Sequence, residues 1–201
     1  MRLIIVRHGQ TDFNILGLLQ GHGGSGLNAQ GFKEATKVAE RLRQENITTA
    51  YVSDLARTTE TAAEILKYHP HCKIIFTSKL RERNHGIFEG KTAEEMTGAR
   101  EKLQIEFEHF KPEGGESHVE VQERIQKLYH QLISKHVHET VLLVSHGGTI
   151  RALLLLIFKE SFSIDNYPKY HLGNCALTIL EISETKKPTI EVLNCIKHLE
   201  K

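Results

Sequence analysis

The chain has 201 residues and 39% apolar residues, a size that one domain with a full core accounts for. Its formal net charge of +1 argues against a dedicated nucleic-acid or membrane-surface protein, and no apolar run approaches the length of a membrane span. The three cysteines are scattered, and an apolar strand begins almost at the first residue, which leaves no room for a signal peptide. We therefore expect a reduced, cytoplasmic protein.

Apolar periodicity predicts strands and helices that alternate along the chain. Strands are expected at residues 3–6, 49–53, 73–77, 141–145, 176–182 and 188–195. Helices are expected at about 28–44, 54–68, 91–110, from 117 past 132, and 149–158. The last two strands are expected to pair through the connection SETKK. The alternation predicts an α/β fold, a three-layer sandwich whose mostly parallel central sheet carries helices on both faces, in a single domain over residues 1–201.

Two of the predicted helices carry clear start signals. Asn28 can cap the first, and Ser117 with Glu120 has the spacing of a capping box that opens a later one. The expected buried face of the first is Phe32, Ala35, Val38, Ala39 and Leu42. The expected buried face of the later helix is Val121, Ile125, Leu128 and Leu132.

The layout of the first strand is repeated late in the chain. RLIIVRHG and VLLVSHGG are both apolar strands that end in a histidine and glycine. Parallel sheets gather functional groups at the carboxyl ends of their strands, so His8 and His146 can share one crevice. Glycine after each histidine lets backbone amides come close to a ligand.

A third element adds positive charge to this crevice. Arg57 falls in the first turn of a predicted helix, where anions are favoured, and Arg7 precedes His8. Two arginines there form a small cationic cup whose natural guest is a phosphoryl group. Each feature alone has an ordinary explanation, a structural histidine or a surface arginine, and only their combination is specific.

Five motifs in this order cover nearly the whole chain: RHGxTxxN, SDLxRTxxTA, LxExxxGxxEG, GGES and SHGG. They resemble the histidine phosphatase superfamily, also called phosphoglycerate mutase-like. The resemblance implies that His8 is the nucleophile that becomes phosphohistidine and that Glu82 is the acid and base. It implies a phosphate pocket made by Arg7, Arg57 and His146, with substrate-binding roles for Asn14, Gln20, Gly21 and Gly147.

The implied chemistry needs no metal and no cofactor. Arg7, Arg57 and a protonated His146 are expected to neutralise the phosphoryl oxygens in place of Mg²⁺. His8 must attack as a neutral imidazole, and nearby cations should lower its pKa. Glu82 is expected to be protonated first and to act as a base afterwards. The competing interpretation of Glu82 is a salt bridge with Arg81 or Arg83.

A lid-like insertion is expected at about residues 83–117, here called the charged segment. It contains Arg83 and Arg100 but no adjacent arginine pair of the kind that phosphoglycerate mutases carry, which favours hydrolysis. The motifs are most similar to the fructose-2,6-bisphosphatase (TIGAR-like) subgroup, although His85 stands where relatives often have an aromatic residue. The expected substrate is therefore a small phosphorylated metabolite, a sugar bisphosphate or a phosphoglycerate. A second anionic group of that substrate is expected to meet Arg83, Lys91, Arg100, Lys102 and Lys111.

Three alternatives stay open from the sequence. A phosphoglycerate mutase shares the same cup and differs only in what accepts the phosphoryl group. A protein phosphohistidine or phosphotyrosine phosphatase would need a more open cup. A binding module without activity would be expected to lose His8 or Glu82, and both are present. The sequence does not decide the oligomeric state.

Overall fold

The computed structural model describes residues 1–183 and 187–200, which form a six-stranded sheet flanked by helices. The strands are β1 (Arg2–Arg7), β2 (Ile47–Val52), β3 (Lys73–Phe76), β4 (Thr140–Ser145), β5 (Leu177–Glu181) and β6 (Thr189–Cys195). The helices are α1 (Asp12–Ile15), α2 (Ala29–Leu42), α3 (Ala56–Leu66), α4 (Ala93–Lys102), α5 (His118–Lys135) and α6 (Gly147–Ile157). Short 3₁₀ helices occur at Ser78–Leu80, Gly86–Phe88, Tyr167–Tyr170 and Lys197–Leu199.

The sheet is mostly parallel, as the alternation of strands and helices predicts. Its strand order is β3-β2-β4-β1-β5-β6. The pairs β3–β2, β2–β4 and β4–β1 are parallel, whereas β5 runs antiparallel to β1 and β6 antiparallel to β5. The predicted fold class is therefore confirmed, and the late strand pair β5–β6 lies at one edge of the sheet.

Two apolar clusters, one on each face of the sheet, give the three layers. On one face α2 and α3 contribute Val38, Leu42 and Ile65 to a cluster with alternate residues of the central strands. On the other face Ile125 of α5 and Leu153 of α6 lie in the second cluster. Each fully buried Leu, Ile or Val side chain contributes about 1.5–3 kcal/mol relative to exposure, so these faces hold the strand ends in place.

The predicted helix starts are confirmed by their caps. The Asn28 side chain accepts the N–H of Gly31 at 2.8 Å. Ser117 and Glu120 form a complete capping box, in which each side chain accepts the backbone N–H of the other. All four apolar residues expected inside α5 are buried.

Phe32 is not part of the buried face of α2, and that prediction is wrong. Its side chain is 42% exposed, and Gly31 occupies the inward position instead. A Cβ on Gly31 would lie 2.1 Å from the carbonyl oxygen of Gln10. The backbone of α2 packs directly against the backbone of Gln10 at this point. The buried face of the helix therefore includes a glycine, which a pattern of apolar residues does not reveal.

The predicted helix over residues 91–110 is also too long. Helix α4 begins after its cap Thr92 and ends at Lys102, and Gln104 then adopts a left-handed backbone with φ 53°. None of the residues of α4 is buried. The charged sequence offers no apolar stripe to hold a longer helix against the core.

Part of the connection between β5 and β6 lies outside the described residues, so the predicted SETKK turn is described only at its two ends. Within residues 1–183 and 187–200 no helix combines the length and apolar character needed to cross a membrane. The assignment of residues 1–201 to one domain with a lid-like insertion at 83–117 stays a prediction.

Candidate active site

The site begins where two neighbouring parallel strands end. Arg7 on β1 lies opposite Ser145 on β4, and the N–H of His8 donates to the carbonyl of Ser145 at 3.0 Å. His8 and His146, the next residue on each chain segment, have ring centroids 5.2 Å apart. The structure therefore brings the two histidines together at one edge of the sheet.

His8 is buried, with 3% of its surface exposed, and has a defined ring orientation. Its Nδ1 lies 2.8 Å from the carbonyl oxygen of Gly9, so Nδ1 carries the proton and Nε2 keeps its lone pair. Burial lowers the pKa of His8 well below its usual value, and the charges of Arg7 and Arg57 lower it further. His8 is thus a neutral imidazole at pH 7, as the sequence argument requires of a nucleophile.

Arg57, at the start of α3, is buried and anchored on three sides. Its Nη1 and Nη2 donate to the carbonyls of Gly23 and Gly21 at 2.9 and 2.8 Å, and its Nε donates to Nδ1 of His146 at 3.2 Å. Burial lowers the pKa of Arg57 to about 10, which still leaves a full positive charge at pH 7. Gly21 therefore shapes the cup by holding this guanidinium.

His146 is neutral, and the prediction that it supplies positive charge is wrong. Its Nδ1 accepts the Nε–H of Arg57, so its Nε2 carries the proton and donates to the hydroxyl of Ser53 at 2.8 Å. Burial, followed by the charge of Arg57, lowers its pKa well below the usual value. The buried guanidinium groups of Arg57 and Arg7 disfavour a positive charge on this ring.

Arg7 has one anchored nitrogen and one unpartnered nitrogen. Its Nη1 donates to the carbonyl of Leu172 at 2.6 Å. Its Nε is buried and has no hydrogen-bond partner among the described residues. Burial lowers the pKa of Arg7, against the opposing effect of the Glu82 carboxylate. A buried guanidinium N–H without an acceptor is a donor that a bound anion can satisfy.

Glu82 is a buried carboxylate held by backbone donors. Gly148 donates to its Oε2 and Arg83 to its Oε1, each from backbone N–H at 2.9 Å. Burial alone would raise the pKa of Glu82, but interaction with the His85 ring, the two N–H donors and the charge of Arg57 outweigh it and lower the pKa. The free protein therefore holds Glu82 ionised, whereas the sequence argument expects it protonated at the outset.

Neither neighbouring arginine forms the competing salt bridge with Glu82. Arg81 pairs with Asp54, with Nη2 and Oδ2 2.6 Å apart. Arg83 is buried, 3% exposed, and its side chain points into the base of the charged segment. Its three nitrogens contact the carbonyls of Glu116 and Phe110 and the Nε2 of His118.

This arrangement removes Arg83 from the anion-binding role expected of the charged segment. Arg83 has no free face for a second anionic group of a substrate. Arg100 lies over the ring of Phe107, 5.9 Å from its centroid, and Lys111 pairs with Glu120 at 2.7 Å. Arg83 is therefore unavailable to a second anion. A role in binding that anion stays a prediction for Lys91, Arg100, Lys102 and Lys111.

The remaining predicted site residues surround the cup. Asn14 accepts the N–H of Thr11 and an amide N–H of Asn174 on its Oδ1, each at 3.1 Å, which leaves its Nδ2 as a donor. Gln20 is buried, and its Oε1 has no hydrogen-bond partner among the described residues. Gly147 begins α6, and a Cβ built there would lie 3.5 Å from Nε of Arg7.

A loop that the sequence argument missed forms another wall of the site. The segment HLGNC, residues 171–175, supplies the Leu172 carbonyl that holds Arg7. Asn174 donates from Nδ2 to the carbonyl of His8 at 3.1 Å, and the N–H of Cys175 reaches the same carbonyl at 3.3 Å. Because β5 is antiparallel to β1, residues before β5 lie at the carboxyl end of β1. The sequence signal for this wall is a short run of polar residues and a glycine immediately before β5, which runs antiparallel to β1.

Chemically, the site combines one nucleophilic nitrogen, two fixed cations and one carboxylate. Across the part of the chain that the structure describes, no three His, Cys, Asp or Glu side chains are grouped so as to hold a metal ion. The arrangement can bind a phosphoryl group, attack it from His8 and move a proton through Glu82.

Residues 3–196 match the histidine phosphatase superfamily (branch 1). The chain belongs to this family. Membership confirms the resemblance that the five motifs carry and the predicted class of activity, a phosphatase, at the level of the family.

Individual relatives differ in what their names state. A metal-independent phosphoserine phosphatase of Arabidopsis thaliana is 35% identical over 167 residues, 79% of this chain and 69% of its own length. A probable phosphoglycerate mutase GpmB of Proteus mirabilis is 34% identical over 182 residues, 89% of this chain and 83% of its own. A mycobacterial glucosyl-3-phosphoglycerate phosphatase in complex with VO3 is similar in structure, with a TM-score of 0.83, 29% identity and coverage of 96% of this chain and 99% of its own.

Proposed function

We propose that this protein is a metal-independent phosphatase that hydrolyses small phosphorylated metabolites through a phosphohistidine formed at His8. The observation that carries the proposal is the contact of His8 Nδ1 with the carbonyl of Gly9. This contact leaves Nε2 with its lone pair inside a pocket that also holds the guanidinium groups of Arg7 and Arg57. A neutral imidazole beside fixed cations is suited to attack a phosphoryl group.

The charge of the transferring phosphoryl group is met by arginine. The unpartnered Nε of Arg7 and the N–H groups that Arg57 does not use within the protein are the proposed donors to the equatorial oxygens. Asn14 Nδ2, the Gly147 amide and Gln20 complete the proposed binding set. These donors take the place that Mg²⁺ has in many other phosphoryl-transfer sites.

Glu82 is the proposed carrier of protons between the two steps. Binding of a phosphate ester places negative charge beside the carboxylate and raises its pKa, so it takes a proton from the incoming monoanion. As the Nε2–P bond forms and the P–O bond breaks, Glu82 gives this proton to the leaving oxygen. Water then attacks phosphorus, the N–P bond breaks, and Glu82 accepts the proton of the water.

Phosphorylated acids are the substrate class that the relatives favour. Phosphoserine and glucosyl-3-phosphoglycerate, named for two relatives, both carry a carboxylate near the phosphate. Phosphoglycerates belong to the same class, whereas the sugar bisphosphates of the TIGAR-like subgroup stay a prediction from motifs alone. A cytoplasmic location also stays a prediction from composition.

Trapping the intermediate tests the proposal. Brief incubation with a ³²P-labelled phosphomonoester and quenching in base is expected to leave label on the wild-type chain, and acid is expected to release it. His8→Ala should lose the label and slow turnover by at least about 10⁴-fold, the scale of a lost nucleophile. His109→Gln, at an exposed histidine outside the site, is the matched control. Turnover retained in His8→Ala, or label retained without His8, contradicts the proposal.

A phosphoglycerate mutase is the second candidate, because one relative is named as such. The two candidates differ in what accepts the phosphoryl group from His8. Incubation with 3-phosphoglycerate and catalytic 2,3-bisphosphoglycerate should give mainly inorganic phosphate from a phosphatase and mainly 2-phosphoglycerate from a mutase. We expect phosphate to be the main product.

A further inference from the structure

Arg151 is a cation at the edge of the site that the proposed mechanism does not use. It lies on α6, four residues after Gly147, so the two positions share one face of the helix about 6 Å apart along the axis. Side chains on a helix lean toward its amino terminus, which directs Arg151 back toward the cup. A Cβ on Gly147 would lie 3.5 Å from Nε of Arg7, so this helical face borders the proposed phosphate site.

The contacts of Arg151 do not neutralise it. Its Nη2 lies 2.7 Å from Nδ1 of His171, and its guanidinium carbon lies 4.6 Å from the centre of the Tyr167 ring. Neither partner is an anion. Its Nε is buried and has no hydrogen-bond partner among the described residues, the same condition as the Nε of Arg7.

His171 and Tyr167 tie Arg151 to the catalytic groups. His171 precedes Leu172, whose carbonyl holds Arg7, so one short segment contacts both arginines. A Cβ on Gly148 would lie 3.1 Å from the hydroxyl of Tyr167 and 2.5 Å from Oε1 of Glu82. The tyrosine therefore reaches the neighbourhood of the carboxylate that serves the leaving group.

The charges around Arg151 indicate what kind of ligand it can bind. Burial, followed by the charge of Arg151, lowers the pKa of His171, so its ring is neutral and accepts a hydrogen bond from Arg151. The charge of Arg151 also adds to the lowering of the Arg7 pKa by burial, so the two guanidinium groups repel each other. His171 is exposed, which leaves the outer side of the pair open to solvent. Two arginines close enough to repel each other favour a ligand that brings two separated negative charges.

We infer that Arg151, oriented by His171 and Tyr167, binds a carboxylate on the leaving group of the substrate, about one helical turn from the phosphoryl group held by Arg7 and Arg57. The inference deepens the proposed function and rests on it. It assigns to α6 the second-anion role that Arg83 does not fill. A small phosphorylated acid spans a distance of this size, whereas a neutral phosphomonoester leaves Arg151 unpaired.

The test compares two substrates that differ only at the carboxylate. 3-Phosphoglycerate carries a carboxylate where glycerol 3-phosphate carries a hydroxymethyl group. The wild-type enzyme should favour the acid in kcat/KM. Arg151→Met should reduce this preference by about 10- to 100-fold, the value of a lost charge-assisted hydrogen bond, mainly through KM for the acid. Arg151→Lys should retain part of the preference, because it keeps the charge but loses the paired donors.

Two further variants keep the inference falsifiable. His171→Gln, at an exposed side chain, tests the orientation of Arg151 even if Arg151→Met folds poorly, and it should reduce the same preference by a smaller factor. Arg100→Met removes another arginine that lies over an aromatic ring and should leave the preference unchanged. An unchanged preference in both Arg151→Met and His171→Gln, with hydrolysis intact, overturns the inference alone. Failure of every phosphomonoester to be hydrolysed overturns the proposed function instead.

Discussion

The cup and the charged segment are held in opposite ways. His8, Arg57 and His146 are buried, and each is fixed by hydrogen bonds to backbone or to another buried side chain. The middle of the charged segment is helix α4, which has no buried residue and is held by its cap Thr92. The cup is thus rigid, and the middle of the charged segment is free to vary with little effect on the fold.

The base of the charged segment belongs with the rigid part. Arg83 bonds to two carbonyls and to His118, which itself stacks on Phe107 with ring centroids 4.4 Å apart. The boundary between the two kinds of structure therefore lies inside the segment, between its anchored ends and α4. Four predictions test where this boundary lies, from the largest expected effect to the smallest.

Glu82→Gln should separate chemistry from binding within the cup. We expect turnover of a poor leaving group to fall by about 10²–10⁴-fold, because the general acid and base is lost. The loss should shrink for p-nitrophenyl phosphate, whose leaving group needs little protonation. Steady-state rates with both substrates measure the effect, and phosphate inhibition checks that binding survives. Equal losses with both substrates would assign Glu82 a structural role.

Arg83→Met should destabilise the whole protein. It leaves the buried carbonyl of Phe110, the partly buried carbonyl of Glu116 and the Nε2 of His118 without their donor, at a cost of about 2–4 kcal/mol in the free energy of unfolding. Urea denaturation measures the loss. Arg100→Met loses an exposed ion pair with Glu101 and a contact with the partly buried Phe107 ring but leaves no buried carbonyl unpaired, and should change the unfolding free energy by less than about 1 kcal/mol. Similar losses in the two variants would show that the anchored base and α4 do not differ.

Acid should destabilise the protein, because four buried histidines are neutral in the folded state. Burial lowers the pKa of His8, His85, His118 and His146, so the unfolded chain binds more protons than the folded one below pH 6.5. Stability is therefore complete above pH 6.5 and decreases as the pH falls toward the folded-state values, about 4 for His85. The melting temperature should drop steadily from pH 7 to pH 5.

Single variants assign this acid response. His85→Phe removes one buried titrating ring, whose Nδ1 has no hydrogen-bond partner among the described residues, and should flatten the decrease in melting temperature. His109→Gln removes an exposed ring and should leave the decrease unchanged. A decrease that is the same in both variants would mean that other groups control the acid response.

Two matched capping boxes give the smallest expected effect. Thr92→Ala and Ser117→Ala each remove a cap worth about 1 kcal/mol. Helix α5 packs in the core, so Ser117→Ala should lower the global unfolding free energy by this amount. Helix α4 does not, so Thr92→Ala should speed amide exchange within α4 and leave global unfolding and p-nitrophenyl phosphate hydrolysis unchanged. Equal global losses would place α4 in the cooperative core.

The sheet, the layers and the crevice could be predicted from the sequence because each follows from a local pattern of residues. Apolar runs of strand length end at His8 and His146, and the parallel pairing that unites them follows from strand–helix alternation. The neutral state of His146 could not be predicted, because it depends on Arg57 and Ser53, which come from distant parts of the chain. The structural role of Arg83 was missed for the same reason.

Other misses have a different physical cause. Phe32 lies outside the core because a glycine takes its place in a backbone contact, a packing detail that hydropathy does not record. The loop 171–175 was missed because it contains no motif of the family and its contacts, from backbone and from Asn174 and His171 alike, are to residues distant in the sequence. Only the antiparallel direction of β5, which its sequence does not state, places this loop at the site.

Contacts between the first and last parts of the chain determine how late in synthesis the site can form. Arg7 is held by a carbonyl 165 residues later, and the carbonyl of His8 is met by an amide 166 residues later. At a translation rate of about 5–20 residues per second, these partners follow roughly 8–33 seconds after the nucleophile. A nascent chain thus carries His8, the proposed nucleophile, without its surrounding groups, and reactivity toward phosphate esters should appear only once the last quarter of the protein has folded.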